Sequence, residues 1–170
     1  MMIKEETCCL TGHRPKSLPW GYDETKQSCI DFKKDLHQKF LYALNLGKKC
    51  FLTGMAEGFD MIGTEILIQL RKEHKQIKII AVVPCKNQEI KWSEKQQQRY
   101  KNILKECNEI IILSDVYTPT CMNDRNKYMV DKSSLVIACF NGKSSGTGNT
   151  IKLAQMNNCQ IEILNPNDYK

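Results

Sequence analysis

Ser134-Leu-Val-Ile-Ala-Cys-Phe140, followed by Asn141-Gly-Lys-Ser-Ser-Gly-Thr-Gly-Asn-Thr150, is the stretch that decides the fold. The apolar run has no alternation, which is the pattern of a strand covered on both faces. The small, hydroxylated and glycine residues after it form a loop, and Ile151-Lys-Leu-Ala-Gln-Met156 resumes a helical pattern. Strand, small-residue loop and helix start in that order present backbone N–H groups and a helix N-terminus to an anion. Gly146 and Gly148 leave room for close approach, and Ser144, Ser145, Thr147 and Thr150 offer hydroxyls. The plainer reading is a strand-to-helix turn with a Ser or Thr cap. A Walker-type P-loop is excluded: Gly142-Lys143-Ser144 matches only the end of that motif, and Ile137 stands where its first glycine belongs.

Outward from this stretch the pattern repeats. Apolar runs suited to buried strands lie near Thr7–Leu10, Lys49–Leu52, Ile77–Val83, Glu109–Leu113, Leu135–Phe140 and Gln160–Leu164. Helical stripes lie between them: Cys29, Phe32, Leu36, Phe40, Ala43 and Leu44, ended by Gly47; then Phe59, Ile62, Ile66 and Leu70; then Tyr100, Ile103, Leu104 and Cys107 after the polar stretch Ser93 to Gln98. Shorter helices fit Met122–Asp131 and Thr147–Met156. Such alternation predicts an α/β protein, a Rossmann-like three-layer α/β/α sandwich on a mostly parallel sheet of six strands. The expected strand order is 3-2-1-4-5-6, and the loops after the strands should share one rim where ligands bind.

At 170 residues the chain is read as a single domain, 1–170. Its 41% hydrophobic and 26% charged residues are ordinary globular values. The N-terminus carries charges where a secretory signal needs an apolar stretch, so the expectation is a cytoplasmic protein without membrane contact. Nine scattered cysteines without a Cys-x-x-Cys read as reduced core residues, with no metal site expected. The net charge of +6 is modest, although Lys86, Lys91, Lys95, Arg99, Lys101 and Lys105 outnumber Glu89 and Glu94 locally. That segment is a solvated helix face or a nucleic-acid contact.

Two further rim loops bear chemistry. In Thr11-Gly-His-Arg-Pro15, Gly12 is a rim glycine, the planar fork of Arg14 suits a phosphate, and His13 is either a general acid–base group or a hydrogen-bonded structural residue. In Thr53-Gly-Met-Ala-Glu-Gly-Phe-Asp60, Gly54 and Gly58 allow close approach, with Glu57 between them. Asp60, or Glu65 a turn later, accepts ribose hydroxyls or only favours the helix dipole. Trp20 and Tyr22 either stack on a base or pack the sheet edge. Arg125, among Asn123, Asp124, Asn126 and Asp131, is a second arginine at the rim or part of a charged helix face, and Asn141 starts the opening loop.

Taken together, Thr11-Gly-His-Arg-Pro15 with Leu18-Pro-Trp-Gly-Tyr22, Gly54-Met-Ala-Glu-Gly-Phe-Asp60, Trp92, Arg99-Tyr100, Asp124-Arg-Asn126 with Met129-Val-Asp131, and Ser145-Gly-Thr-Gly-Asn-Thr150 resemble the YpsA-like family over essentially the whole chain. That family is grouped in the SLOG superfamily with the DNA-processing protein DprA (Smf) and the LOG enzymes. The resemblance implies a Rossmann-like fold and a site for a nucleotide or a nucleotide-derived ligand resembling ADP-ribose or NAD, held as a sensor or regulator would hold it. A bound nucleotide is thus the one cofactor to expect, nucleic acid is the lesser alternative partner, and a homo-oligomer is compatible. LOG phosphoribohydrolases carry Pro-Gly-Gly-x-Gly-Thr-x-x-Glu; aligning Gly146-Thr147 puts Thr150 where their glutamate stands. An N-glycosidic hydrolase would then need Asp60, Glu65 or Asp124 as its carboxylate, with His13 the other candidate catalytic group, and single-stranded DNA binding is the further alternative.

Overall fold

A computed structural model describes residues 2–170. The elements alternate along the chain: β1 Thr7–Gly12, α1 Gln27–Asn45, β2 Cys50–Thr53, α2 Phe59–Leu70, β3 Lys78–Val83, α3 Glu94–Glu106, β4 Glu109–Ile112, α4 Cys121–Asp131, β5 Leu135–Cys139, α5 Gly146–Met156 and β6 Gln160–Leu164. All six strands are parallel. Local chemistry explains several boundaries. Gly47, at φ 85°, ends α1 with the paired bonds of a Schellman motif, Gly47 N–H to Leu44 O at 2.9 Å and Lys48 N–H to Ala43 O at 3.0 Å. Ser93 caps α3 by accepting from the Gln96 N–H, so the polar stretch after it is the first part of that helix.

The sheet order is β4-β3-β2-β1-β5-β6. The expected order set the fourth strand beside the first; instead β4 extends the β1-β2-β3 run outward, pairing with β3 from Ile80 against Glu109 to Val83 against Ile112. The chain then returns through α4 to start β5 on the other side of β1. Direction therefore reverses between β1 and β5, and the loops leaving these two strands diverge there, opening a crevice at their C-terminal ends.

Both faces are filled. On one, Phe32, Leu36 and Phe40 of α1 and Phe59, Ile62 and Leu67 of α2 cover Leu10, Phe51, Ile79 and Ile137. Met61, Tyr100 and Ile103 extend this layer over Ala81 and Val83. On the other, Met129 and Val130 of α4 and Ala154 of α5 cover Cys9, Leu52, Ile80, Val82 and Val136. Every cysteine is a free thiol, seven of them buried, as expected of small core residues. No described helix is long and apolar enough to cross a membrane.

Candidate functional site

The crevice between β1 and β5 is a cavity of about 460 Å³. Its walls are the end of β1 with Gly12 to Arg14, Lys16 and Ser17; Ala56 and Asp60 before and within α2; Met122, Asn123, Arg125 and Asn126 of α4; and Ser144 to Thr147 at the start of α5. All three rim loops meet there. A groove of about 730 Å³ between α1, α2 and α3 is larger, but it lies on the helical layer, away from the strand ends.

Three ionisable groups at the cavity lack the partners that burial normally demands. Arg125 is 4% exposed; its Nη1 donates to Gly54 O at 2.6 Å and its Nε to Asn126 Oδ1 at 2.8 Å. Its Nη2 reaches only the Met122 sulfur, at 3.8 Å. Half-buried Arg14 donates to the same sulfur at 3.9 Å. Neither arginine has a carboxylate within ion-pair distance among the described residues. Burial pushes the Arg125 guanidinium below its ordinary pKa, with Asp60 opposing and Arg14 reinforcing. An uncompensated buried cation costs several kcal/mol (~), which an arriving anion removes.

Asp60, 5% exposed, accepts from Ala56 N–H at 3.2 Å through Oδ2, while buried Oδ1 has no partner. Burial raises its pKa above 3.8, opposed by Arg125, the Ala56 N–H and Arg14. The folded chain therefore holds a proton that the unfolded chain releases. This cost is present above the raised value and fades as pH falls through it. Asp60→Asn is accordingly expected to stabilise the free protein by about 1 kcal/mol, a rise of about 2–4 °C in Tm read by calorimetry at pH 7.

The α5 end supplies donors. Ser145 Oγ accepts from Gly148 N–H at 3.1 Å, so this hydroxyl is the helix cap. The amides of Gly146 and Thr147 keep no intrahelical acceptor and lie at the cavity wall with Ser144. The glycines divide by what surrounds them. A Cβ on Gly146 would meet nothing within 4 Å, whereas one on Gly148 would touch the Phe140 ring at 3.3 Å. Gly54 makes room for the Arg125 guanidinium, and Gly12 for the Phe59 ring. Gly58 has φ 87° and faces His13 O, 2.7 Å from where its Cβ would stand. Of these five, only Gly146 leaves space for a ligand; the others let protein parts approach one another.

His13 is 5% exposed and stitches the loops together. Its Nε2 accepts from Asn141 N–H at 3.0 Å, its backbone N–H donates to Cys139 O, and its carbonyl accepts from Phe59 N–H. The ring lone pair is already used, so the acid–base reading of His13 gives way to the structural one. Burial holds its pKa below 6.5. The unfolded chain therefore takes up a proton that the folded chain resists, and stability falls as pH drops below 6.5. Urea midpoints from pH 7.5 to 5.5 should record this loss, at most about 1.4 kcal/mol per pH unit, and His13→Gln should remove it.

Other expected site residues sit elsewhere. Trp20 is 1% exposed and packs on Phe32 at 5.0 Å between ring centroids, so it is a core residue and no platform for a base. Tyr22 is 60% exposed outside the cavity and donates its hydroxyl to Glu57 at 3.0 Å, which places both beside the site. Glu65 lies on the helical layer, ion-paired with Arg99, which also holds Glu24. Thr150 is 1% exposed and donates back to Gly146 O at 2.9 Å, the ordinary helical use of a buried threonine. Asn141 spends its amide on His13 and its Oδ1 on Lys143 N–H. Lys16, Ser17 and Met122 reach the cavity and were not marked by sequence; a loop lysine or a helical methionine carries no signal of where it points.

The chain is similar to several known proteins. It is 33% identical over 117 residues to the SPbeta prophage-derived protein YoqJ of Bacillus subtilis, covering 62% of this chain and 68% of YoqJ. It is 21% identical over 140 residues to the UPF0398 protein YpsA of the same organism, covering 81% and 76%. Among solved structures it resembles DNA processing protein A of Helicobacter pylori, described for its single-stranded DNA binding mode, with TM-score 0.62 and 17% identity over 95% of this chain. DprA of Streptococcus pneumoniae follows with TM-score 0.61 and 16% identity over 92%. The chain spans 66% and 49% of those two DprA chains. At such identities the likeness is one of fold. The model of the YspA SLOG family, YpsA, matches residues 8–168, and the chain belongs to that family.

Proposed function

We propose that this protein binds a nucleotide or nucleotide-derived phosphorylated ligand, of the ADP-ribose or NAD kind, in the cavity between β1 and β5, and acts as a sensor or regulator. The observation that carries the reading is Arg125, buried without an ion pair in the wall of a cavity shared with Arg14 and the free α5 amides. Fixed cations and helix N–H groups are the standard means of holding a phosphate. Calorimetric titration with AMP, NAD and ADP-ribose tests it: binding to one of them, lost with Arg125→Met, is the expected result, and no heat from any of the three rejects it.

Binding without cleavage fits the carboxylates. Asp60 is the one carboxylate lining the cavity, and it has no second acid–base side chain free beside it, since His13 is engaged. A LOG-like hydrolase would release free base from a nucleotide in a reaction abolished by Asp60→Asn and untouched by Glu65→Gln.

A single strand of DNA is the second reading, supported by exposed Lys16 and Lys143 beside the cavity and by the fold of the DprA neighbours. The 86–105 basic segment supports it less. Lys86 is paired with Asp115, Arg99 with Glu24 and Glu65, and Trp92 packs edge-on against Tyr100. Affinity for an oligonucleotide falling steeply with salt, and lowered by Lys16→Ala, would favour this reading.

A further inference from the structure

We infer that the cavity reads the sugar and the phosphate of its ligand and is indifferent to the base, so that it takes a phosphorylated pentose with any base or with none. This rests on the nucleotide-ligand reading above and narrows it to a ligand class.

The first ground is what the lining lacks. No Phe, Tyr or Trp lines the cavity. The imidazole of His13 is the one ring there, packed on Phe140 at 5.8 Å between centroids, with its acceptor taken by Asn141 N–H. Trp20 is enclosed in the core, and Tyr22 stands outside with its hydroxyl given to Glu57. A base stacked on an aromatic side chain gains about five- to a hundredfold in affinity, and this wall offers no such surface. Reading a base edge needs paired donors and acceptors; the acceptor of Asn126 is already used by Arg125, which leaves exposed Asn123 as the single uncommitted carboxamide in the wall.

The second ground is what the lining holds ready. The buried, unpartnered Oδ1 of Asp60 is an acceptor that needs a donor, which a fully ionised phosphate does not bring. A pentose hydroxyl brings one. Arg14, Arg125 and the Gly146 and Thr147 amides need an anion, which the same molecule carries on its phosphate. One orphan acceptor and a set of cationic or N–H donors in a single cavity are thus complementary to a hydroxylated phosphate ester.

The test is calorimetry on the intact protein with ribose 5-phosphate, AMP, GMP, CMP, UMP and inorganic phosphate. The expected result is that ribose 5-phosphate and the four nucleotides bind within about threefold of one another, and that inorganic phosphate binds at least about tenfold more weakly. Asp60→Ala should erase the preference for ribose 5-phosphate over inorganic phosphate, and Tyr22→Ala should change no affinity. A preference above about tenfold for one base, binding of AMP without ribose 5-phosphate, or a loss with Tyr22→Ala confined to base-bearing ligands would each overturn the inference while leaving nucleotide binding intact. Absence of heat from all six, with NAD and ADP-ribose silent as well, would instead remove the nucleotide reading and this inference with it.

Discussion

Replacing Arg14 by alanine is expected to weaken binding of ADP-ribose or AMP by about ten- to a hundredfold, because a hydrogen bond to a charged group contributes about 1.5–3 kcal/mol. Arg14 is the more informative of the two arginines. It is half-buried, and the one hydrogen-bond partner of its side chain is the Met122 sulfur at 3.9 Å, so truncating that side chain breaks little of the fold. The thermal midpoint should therefore stay within about 2 °C of the parent while affinity falls. Arg14→Lys should recover only part of the loss, since an ammonium cannot reproduce a bidentate fork. Calorimetry and a thermal scan on the same preparations separate the two effects, and an affinity unchanged in Arg14→Ala would take this residue out of the site.

Gly12→Val carries the largest expected cost in stability. The Cβ of any residue at position 12 would run into the Cβ, Cγ and Cδ1 atoms of Phe59. Phe59 is fully buried, edge-on to Phe32 at 6.2 Å between centroids, and its backbone N–H donates to His13 O. It begins α2, so it cannot move aside without carrying Asp60, the next residue of that helix, with it. Overpacking of a filled core costs about 1–3 kcal/mol, and a branched side chain against a fixed ring should reach the top of that range or exceed it. Urea unfolding should place Gly12→Val at least 3 kcal/mol (~) below the parent. Gly146→Ala should cost nothing comparable, since a Cβ there meets no atom within 4 Å, yet it should reduce ligand affinity. Equal stability losses at the two positions would contradict this division of the glycines.

Much of the architecture is legible in the chain because it is written in local pattern. The continuous apolar run Leu135–Cys139 gives a strand covered on both faces, Gly47 ends α1, and Ser145 caps α5. The place of β4 was not legible. Whether a strand extends a sheet outward or crosses to the far side depends on long-range pairing, here Ile110 with Ala81 and Ile112 with Val83, and no local signal encodes it. The correction moves the reversal point to β1 and β5, and it is this that joins the His13–Arg14 loop to the α5 loop.

Site residues divide in the same way. Arg14, Asp60, Arg125 and Gly146 line the cavity, where the rim readings of the sequence placed them. Trp20 and Glu65 stayed open between two readings because their surroundings are tertiary: one fills the space over Phe32, and the other meets Arg99 across from α3. The roles of Gly12 and Gly54 were hidden too. A glycine that admits a ligand and one that admits a neighbouring side chain look alike until Phe59 and Arg125 are seen beside them.

The central claim, that the crevice between β1 and β5 is the ligand site, is tested most directly by amide NMR shift mapping of the labelled protein titrated with ADP-ribose. The expected result is saturable shifts concentrated on His13, Arg14, Ala56, Asp60, Gly146 and Thr147, with residues lining the α1–α2–α3 groove, such as His37 and Gln69, unmoved. Shifts centred on that groove, or no shifts at millimolar ligand, would contradict it.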